Sequence, residues 1–249
     1  MKRGEKSDTF LGLKFSPVQI NELINQISKG APSNGVSYHF INSYSIVSAS
    51  KSSLVHQILS KGLLICDGLP LSIILRISAI KHCYVRGVDF MRGVLQDDSL
   101  ESKHFFVGST QNVLNDLFYN ARQLNPNVNV VGYQSLPFME DLSSLIPELS
   151  IKLSNSGATC IWVSLGTPKQ DLFCGELARI LPAHIFAVGA AFDFLSRQKI
   201  EAPKFIQKMG LEWMFRLVLE PRRLSVRYLL GNLQFIKIAM QHFKFRVNR

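Results

Sequence analysis

The sequence predicts an α/β protein: a Rossmann-like, largely parallel β-sheet flanked by helices, with a basic helical appendage at the C-terminus. Two observations predict this fold. Over residues 1–203, short apolar runs alternate with segments of helical periodicity, which is typical of βα units. Residues 204–249 carry ten Lys and Arg against only Glu212 and Glu220, a charge of +8 out of the net +10. We therefore divide the 249 residues into a core (1–203) and an appendage (204–249).

The apolar runs are predicted as strands. In chain order they are "TFLGLKF" (9–15), "YHFIN" (38–42), "GLLICDG" (62–68), "KHFFVGST" (103–110), "VNVVGYQS" (128–135), "ATCIWVS" (158–164) and "HIFAVG" (184–189). Ser16-Pro17 is typical of an N-cap and first helical residue, and the apolar stripe from Ile20 to Ile27 continues that helix. A helix follows Asn42, "LPLSIILRIS" (69–78) forms another, and a further one is expected near 111–124.

Five of these strands deliver glycine or polar residues at their carboxyl ends. In open parallel sheets, ligands bind at that edge, and helix N-termini there present free N–H groups that suit phosphate. The sequence therefore predicts a site for a nucleotide or another phosphorylated ligand at this edge. The residues concerned are Asn42, Asp67-Gly68, Gly108-Ser109, Gly166-Thr167 and Gly189.

The motifs and the composition argue against several other classes of protein. The four cysteines form no CxxC pair, so we expect reduced, buried thiols rather than a zinc site or a disulfide framework. The six histidines show no ligand spacing, and GxGxxG, GxxxxGK[ST], GxSxG and DxD motifs are absent, so no metal or cofactor is predicted. No apolar run approaches the ~20 residues of a spanning helix, and no signal peptide is visible. We expect a soluble or peripheral protein.

The stretch "GLEWMFRLVLEPRRLSVRYLLGN" (210–232) combines an apolar stripe with clustered arginines. Arg223 and Arg227 lie four residues apart and would share one face of a helix, with Arg216 and Arg222 nearby. Guanidinium clusters of this kind suit phosphate binding. The stripe of Leu211, Met214, Phe215 and Val218 could dock on the core or lie in a bilayer interface with Trp213 at headgroup depth, and a solvated basic face is the plain alternative.

Three candidate positions have both a chemical and a structural interpretation. Asp67 could act as a general base, or it could cap the helix that follows it. Thr167, Pro168 and Gln170 fit a capping box, yet Gln170 could also hold a sugar or a phosphate. Arg86 could reach a diphosphate, or it could form a surface salt bridge with Asp89.

Four segments together resemble the WecG/TagA/CpsF glycosyltransferases, glycosyltransferase family 26. They are "FLGLKFSPVQINELI" (10–24), "CDGLPLSIILR" (66–76), "VSLGTPKQDLF" (163–173) and the long run 186–232 that begins "FAVGAAFDFLSRQ". The resemblance covers nearly all of residues 9–235. It implies an inverting, metal-independent bacterial transferase that moves a sugar, often N-acetylmannosamine or its uronic acid, from UDP to a polyprenyl-diphosphate-linked acceptor. It also implies a peripheral protein at the cytoplasmic face of the plasma membrane, and a homo-oligomer is one of the states it allows.

The resemblance also implies roles for individual residues. The aspartate of the family's DG motif, the proposed catalytic base, corresponds to Asp67, and the pocket asparagine and glutamine correspond to Asn42 and Gln170. The appendage, whose arginines approach the diphosphate and the membrane, corresponds to about 204–249. Three positions depart from the family pattern: Phe40 stands in place of threonine, Tyr84 in the arginine register with Arg86 as a shifted substitute, and Asp171 in place of glutamate. The expected substrate-binding residues are Asn42, Gly68, Arg86, Gly108, Gly166, Thr167, Gln170 and Gly189, and the expected diphosphate and membrane contacts are Arg216, Arg222, Arg223 and Arg227.

Three alternatives stay open. One is a nucleic-acid-binding module, which the basic tail allows but the apolar helical stripe disfavours, because base-stacking platforms interleave aromatic with basic residues. We therefore expect no nucleic-acid partner. Another is a family member without activity that serves as a scaffold. The third is a transferase of the same family that uses another UDP-hexose, such as glucose, in exopolysaccharide synthesis.

Overall fold

The structure is a computed structural model, and it describes residues 8–97, 102–139 and 141–247. Its centre is a six-stranded sheet in which every strand pair is parallel, in the order β2-β1-β6-β5-β3-β4. This confirms the predicted α/β fold with a parallel sheet. The strands are β1 (Val36–Ile41), β2 (Leu63–Cys66), β3 (Lys103–Gly108), β4 (Asn129–Gln134), β5 (Cys160–Ser164) and β6 (His184–Ala187).

Helices connect the strands and cover both faces of the sheet. They are α1 (Ile20–Ile27), α2 (Ser43–Lys51), α3 (Ser53–Lys61), α4 (Leu69–Ile77), α5 (Gly87–Leu95), α6 (Gln111–Leu124), a 3₁₀ turn (Ser143–Leu145), α7 (Ile146–Ser156), α8 (Lys169–Ile180), α9 (Ala191–Leu195), α10 (Lys204–Lys208), α11 (Glu212–Leu219) and α12 (Pro221–Val247). No helix within the described ranges is long and apolar enough to cross a membrane.

The strands are apolar on both faces because each face packs against helices. One face is aromatic: Phe40, Trp162 and Phe186 pack with α1, α5, α6 and α9 in a single core cluster. Trp162 and Phe186 stack with ring centroids 4.2 Å apart. The alternate residues of the same strands point to the opposite face of the sheet. There Ile41 packs with α2, α3 and α4, and Ile185 packs with α7 and α8. The result is a three-layer α/β/α core.

The strand order places a topological switch between β3 and β5. The chain leaves β3 toward the edge strand β4, whereas it leaves β5 in the opposite direction toward β6. A crevice between diverging connections at the carboxyl ends of strands is where ligands bind in open α/β sheets. The predicted Gly108 is the last residue of β3 and Gly166 lies two residues after β5, so the fold brings both to the switch point.

Two predictions for the N-terminal region are wrong. The run 9–15 is not a strand of the sheet: it forms only isolated bridges, Phe10 with Leu13 and Phe15 with Leu64. Its apolar side chains instead lie in the core cluster around α2–α4. Helix α1 begins at Ile20 with Gln19 as its N-cap, rather than at Ser16-Pro17. The Ser16 backbone N–H donates to Leu64 O at 2.8 Å, which keeps that residue beside β2.

The C-terminal helices attach to the core in two ways. Helix α12 packs against α2 and buries Phe235 and Ala239. Helices α10 and α11 contain no fully buried side chain. Six large apolar residues between 200 and 219 are instead exposed, by 45–75%, and we call them the exposed apolar group: Ile200, Phe205, Met209, Met214, Val218 and Leu219. The helical character of the tail is therefore as predicted, and its division from the core at residue 203 stays a prediction.

Candidate active site

Asp67 lies directly after β2, at the carboxyl edge of the sheet. Its backbone N–H donates to Ile41 O at 2.7 Å, which extends the pairing with β1 by one residue. Gly68, at φ +117°, is the N-cap of α4, and no side chain caps this helix. The interpretation of Asp67 as a helix cap is therefore wrong. Because a residue with a Cβ would be strained at that φ, the glycine allows the turn that leaves the Asp67 carboxyl at the edge.

The surroundings of Asp67 favour its neutral form. Burial raises the pKa of its carboxyl to about 7, and the negative charge of Glu212 contributes in the same direction. Arg86, Arg216 and a hydrogen bond donated by the Gly87 backbone N–H oppose that rise. A carboxyl group whose pKa lies near neutral pH can accept a proton and release it again, which is the property of a general base.

Arg86 ends the loop before α5 and is only 8% exposed. Its side chain makes five hydrogen bonds: Nε to Glu212 Oε2 (2.9 Å), Nη1 to Asp89 Oδ2 (2.9 Å) and Gln207 Oε1 (2.6 Å), and Nη2 to Glu201 Oε2 (3.2 Å) and Glu212 Oε1 (3.3 Å). The predicted pair with Asp89 is therefore present, but it belongs to a larger network around a buried guanidinium whose carboxylate partners are partly exposed. Since a guanidinium has five N–H donors, all of them are used. We call Arg86 with Asp89, Glu201, Gln207 and Glu212 the Arg86 clasp.

The predicted capping box at the start of α8 is wrong. The helix begins at Lys169 with Pro168 as N-cap, and no side chain makes a cap hydrogen bond. Gln170 is 4% exposed and points inward, where its Oε1 accepts from Gly166 N (3.1 Å) and its Nε2 donates to Ala187 O (3.2 Å). Gln170 thus ties the loop after β5 to the end of β6, because its amide can donate and accept at once.

The glycines of the edge differ in what surrounds them. A Cβ on Gly108 would lie 2.5 Å from Ser164 O, and one on Gly189 would lie 3.2 Å from the Gln170 side chain, so both allow close approach of neighbouring loops. Gly166, at φ +76°, has nothing within 4 Å of the position of a Cβ. The backbone at Gly166 therefore faces open space at the switch point, beside Thr167 of the same loop.

Asn42 has a structural role at this edge. Its Oδ1 accepts from the backbone N–H groups of Tyr44 (3.0 Å) and Ser45 (3.1 Å), which caps α2. The same residue lies beside the turn after β2, since a Cβ on Gly68 would come within 3.5 Å of Asn42 Cβ. Asn42 therefore lines the approach to Asp67 while it holds the start of α2.

Among the predicted arginines whose side chains the structure describes, Arg216 and Arg222, Arg216 is close enough to Asp67 to lower its pKa. It lies on α11, and its Cζ is 5.4 Å from the centroid of the Phe194 ring. Its Nε is buried and makes no hydrogen bond to the rest of the described chain. A recess of about 200 Å³ opens beside it, lined also by Lys199 and Glu220. Arg222 is the second residue of α12 and is exposed, and the side chains of Arg223 and Arg227 lie outside what the structure describes.

Sequence reasoning missed a buried hydrogen-bonded chain that holds the start of α8. His39 Nδ1 lies 2.9 Å from Asp171 Oδ1, and His39 Nε2 lies 3.0 Å from Ser37 Oγ. His39 is 0% and Asp171 1% exposed. We call these three residues the α8 anchor. A histidine in the middle of an apolar strand was the available indication, because such a residue needs a buried polar partner.

Glu212, Glu201 and Gln207 were missed as well. Glu212 and Glu220 are the two acidic residues in the basic segment 204–249, which was the indication that they have specific partners. Glu220 lies 3.3 Å from Lys199 Nζ. Across the described part of the chain, no group of three or more His, Cys, Asp or Glu side chains is arranged to hold a metal ion.

A doubly wound parallel sheet, with a carboxyl of near-neutral pKa at its carboxyl edge and arginines beside it, is typical of α/β enzymes that act on phosphorylated substrates. A comparison with models of known families gives the particular assignment. Residues 9–249 match the model described as the glycosyl transferase WecG/TagA/CpsF family. The match spans nearly the whole chain, so the protein belongs to this family. The family is one of glycosyltransferases of cell-surface polysaccharide synthesis.

Proposed function

We propose that this protein is an inverting, metal-independent glycosyltransferase. It transfers a sugar, N-acetylmannosamine or its uronic acid, from UDP to a polyprenyl-diphosphate-linked acceptor at the cytoplasmic face of the plasma membrane. The observation that carries this proposal is the position of Asp67. It lies at the carboxyl edge of the sheet, its pKa is raised to about 7, and Glu212, Arg86 and Arg216 are its charged neighbours.

Asp67 acts as the general base of the proposed reaction. Its carboxylate takes the proton of the acceptor hydroxyl, and the hydroxyl oxygen forms a bond to the anomeric carbon of the donor sugar. The bond between that carbon and the UDP oxygen breaks, and its electron pair leaves with UDP. Attack from the side opposite the leaving group inverts the anomeric configuration, which requires only one carboxylate in the role of base.

The leaving diphosphate needs positive charge and N–H donors. Arg216 supports this step, because it lies beside Asp67 and its Nε has no partner among the described residues. The open space at Gly166 adds to the support, since it leaves room for a phosphate at the switch point before the start of α8. Arg216 takes the place of a metal ion in the proposal, and turnover undiminished by EDTA is the expected result.

The exposed apolar group supports contact with a lipid surface. Its six members share a segment with Lys204 and Lys208, both exposed, and exposed Arg222 follows it. Apolar side chains beside cations are typical of segments that lie in the interface of an anionic bilayer. Flotation with phosphatidylglycerol vesicles tests this contact in a Met214→Ser/Val218→Ser variant, with the equally exposed Ile180→Ser on α8 as control. Equal flotation of all three proteins would contradict it.

The reaction itself is tested with a panel of UDP-sugars and a polyprenyl-diphosphate-linked acceptor analogue. Asp67→Asn should keep the fold and lose about 10²–10⁴-fold in turnover, the usual contribution of a general base. Asp116→Asn, at a half-buried carboxylate on α6 that pairs with Gln198, is the matched control. Transfer from one donor by the wild type alone would name the sugar, whether N-acetylmannosamine or another hexose. Unchanged turnover in Asp67→Asn would remove Asp67 from the role of base.

A further inference from the structure

The Glu212 carboxylate binds the guanidinium of Arg86 as a bound anion would. Its two carboxylate oxygens accept from two different nitrogens, Nε at 2.9 Å and Nη2 at 3.3 Å. This bidentate arrangement is the one that arginine offers to carboxylates and phosphates alike. The Arg86 clasp is thus a formed anion site that a side chain of the protein itself occupies.

The occupied site lies at the reacting edge of the sheet. Glu212 and Arg86 are both close enough to Asp67 to shift its pKa in opposite directions. Arg86 is the N-cap of α5, and the N–H of the next residue, Gly87, donates to the Asp67 carboxyl. An anion at Arg86 would therefore be held directly beside the proposed base.

The segment that carries Glu212 is joined to the core by polar contacts at Arg86. Helices α10 and α11 have no fully buried side chain, whereas Gln207 and Glu212 bond to Arg86 and Glu201 joins them from the preceding loop. The carboxylates of Asp89, Glu201 and Glu212 are 38%, 24% and 23% exposed. Water and dissolved anions can therefore compete for these contacts, because partly exposed ion pairs are weak.

We propose that Glu212 is a placeholder for an anionic substrate group. A phosphate or diphosphate exchanges with the Glu212 carboxylate at Arg86, and α11 then moves away from Asp67. Arg86 has a bidentate partner before and after the exchange, and the displaced Glu212 carboxylate is hydrated by water. The exchange uncovers the carboxyl of Asp67. The identity of the anion as the diphosphate of the substrate rests on the proposed function, whereas the exchange itself does not.

The chain contains its own reporter for this movement. Trp213 follows Glu212 on α11, and the other tryptophan, Trp162, is 0% exposed in the core. Acrylamide quenching of fluorescence thus reports on α11. We would titrate the full-length wild type, Glu212→Gln and the control Glu220→Gln with inorganic pyrophosphate at constant ionic strength. Glu220 belongs to the same segment but pairs with Lys199 rather than with Arg86.

Pyrophosphate should increase quenching of Trp213 in the wild type and in the control. Glu212→Gln should be quenched already without ligand and should bind pyrophosphate about tenfold more tightly by calorimetry. Equal affinity in wild type and Glu212→Gln would overturn the proposal. Pyrophosphate binding by the wild type without any change in quenching would overturn it too, and this measurement needs no variant. If pyrophosphate displaces Glu212 but no UDP-sugar is turned over, the placeholder role of Glu212 is supported and the proposed transferase reaction is contradicted.

Discussion

The start of α8 and the segment α10–α11 border the same edge of the sheet, yet they are held in different ways. The α8 anchor is fully buried, with His39 and Asp171 0% and 1% exposed. The Arg86 clasp uses more hydrogen bonds, but three of its four partners are carboxylates that water still reaches. Similar polar contacts therefore hold the start of α8 firmly, and we call it the fixed wall of the edge. The segment α10–α11 is held displaceably, and we call it the displaceable wall. Exposure of the acidic partners, rather than the number of bonds, makes the difference.

The largest expected effect comes from a change in the α8 anchor. Asp171→Ala leaves His39 buried without its partner, so the free energy of unfolding should fall by about 3 kcal/mol, the upper cost of an unsatisfied buried polar group. Urea unfolding followed by circular dichroism measures this. The control is Asp193→Ala, which removes a half-buried pair with Lys199 and should cost less than about 1 kcal/mol. Equal losses would mean that burial does not separate the two kinds of contact.

Removal of Arg86 should free the displaceable wall without unfolding the core. In Arg86→Met, trypsin should cut after Lys204, Lys208 or Arg216 at least about tenfold faster than in the wild type, because local opening rather than global unfolding then limits cleavage. Mass spectrometry of the fragments locates the cuts. Asp171→Ala, compared below its unfolding midpoint, should not accelerate cleavage at these sites. Faster cutting throughout the chain would show that the clasp also stabilises the core.

The pH dependence of turnover gives a similar tenfold effect. A base must be ionised, and the pKa of Asp67 is raised to about 7 by burial and then by Glu212. At pH 6 only about a tenth of the molecules carry the carboxylate, so the rate should rise with pH and level off above about 8. In kcat/KM, which reports the free enzyme, Glu212→Gln removes one cause of the raised pKa and should move the profile to lower pH. An unmoved kcat/KM profile would mean that Glu212 does not act on Asp67 in the free enzyme.

The same pKa has a consequence for stability. The folded-state pKa of Asp67 lies above its ordinary value of 3.8, so the folded state binds the proton more tightly than the unfolded state. This contribution to stability is fully present below about pH 4, declines as the pH rises, and is lost above about pH 7. Asp67→Asn should abolish that part of the pH dependence of unfolding.

Salt should produce the smallest effect, and it should act on one region only. Between 0.1 M and 1 M NaCl the Debye length falls from about 10 Å to about 3 Å, which screens exposed charges but hardly affects buried ones. We expect a few-fold faster tryptic cleavage near residue 208 and an unchanged melting temperature of the core. A lower melting temperature of the core at 1 M NaCl with unchanged cleavage would contradict this. It would show that the core, rather than the segment α10–α11, is the region sensitive to salt.

Much of the fold could be predicted from the sequence because its six strands lie in predominantly apolar runs between turn residues. Runs of this kind are typical of parallel strands that are buried on both faces. The run 9–15 has the same composition but pairs only through single bridges, since its residues pack under α2–α4. Composition predicts burial, and it does not distinguish a strand from a buried loop.

The site was predictable only in part. Asp67 and Gly166 could be placed at the edge of the sheet because both follow predicted strands. The roles of Gln170 and Arg86 could not, because each depends on partners remote in the sequence, such as Ala187 and Glu212. Local patterns at those two positions, a capping box and a pair with Asp89, contain no information about contacts made across the fold.

The sulfur-containing side chains of the core differ from those of the C-terminal helices. All four cysteines are free and buried in the core, and burial raises the pKa of Cys160 to about 12, so its reactive thiolate form is scarce. Met209, Met214 and Met240 in the C-terminal helices are 60%, 45% and 55% exposed. Mild peroxide should therefore oxidise these thioethers long before it reaches a thiol. Because a sulfoxide is polar, oxidative stress would switch off the proposed lipid contact while the buried thiols stay reduced, and methionine sulfoxide reductases could restore it.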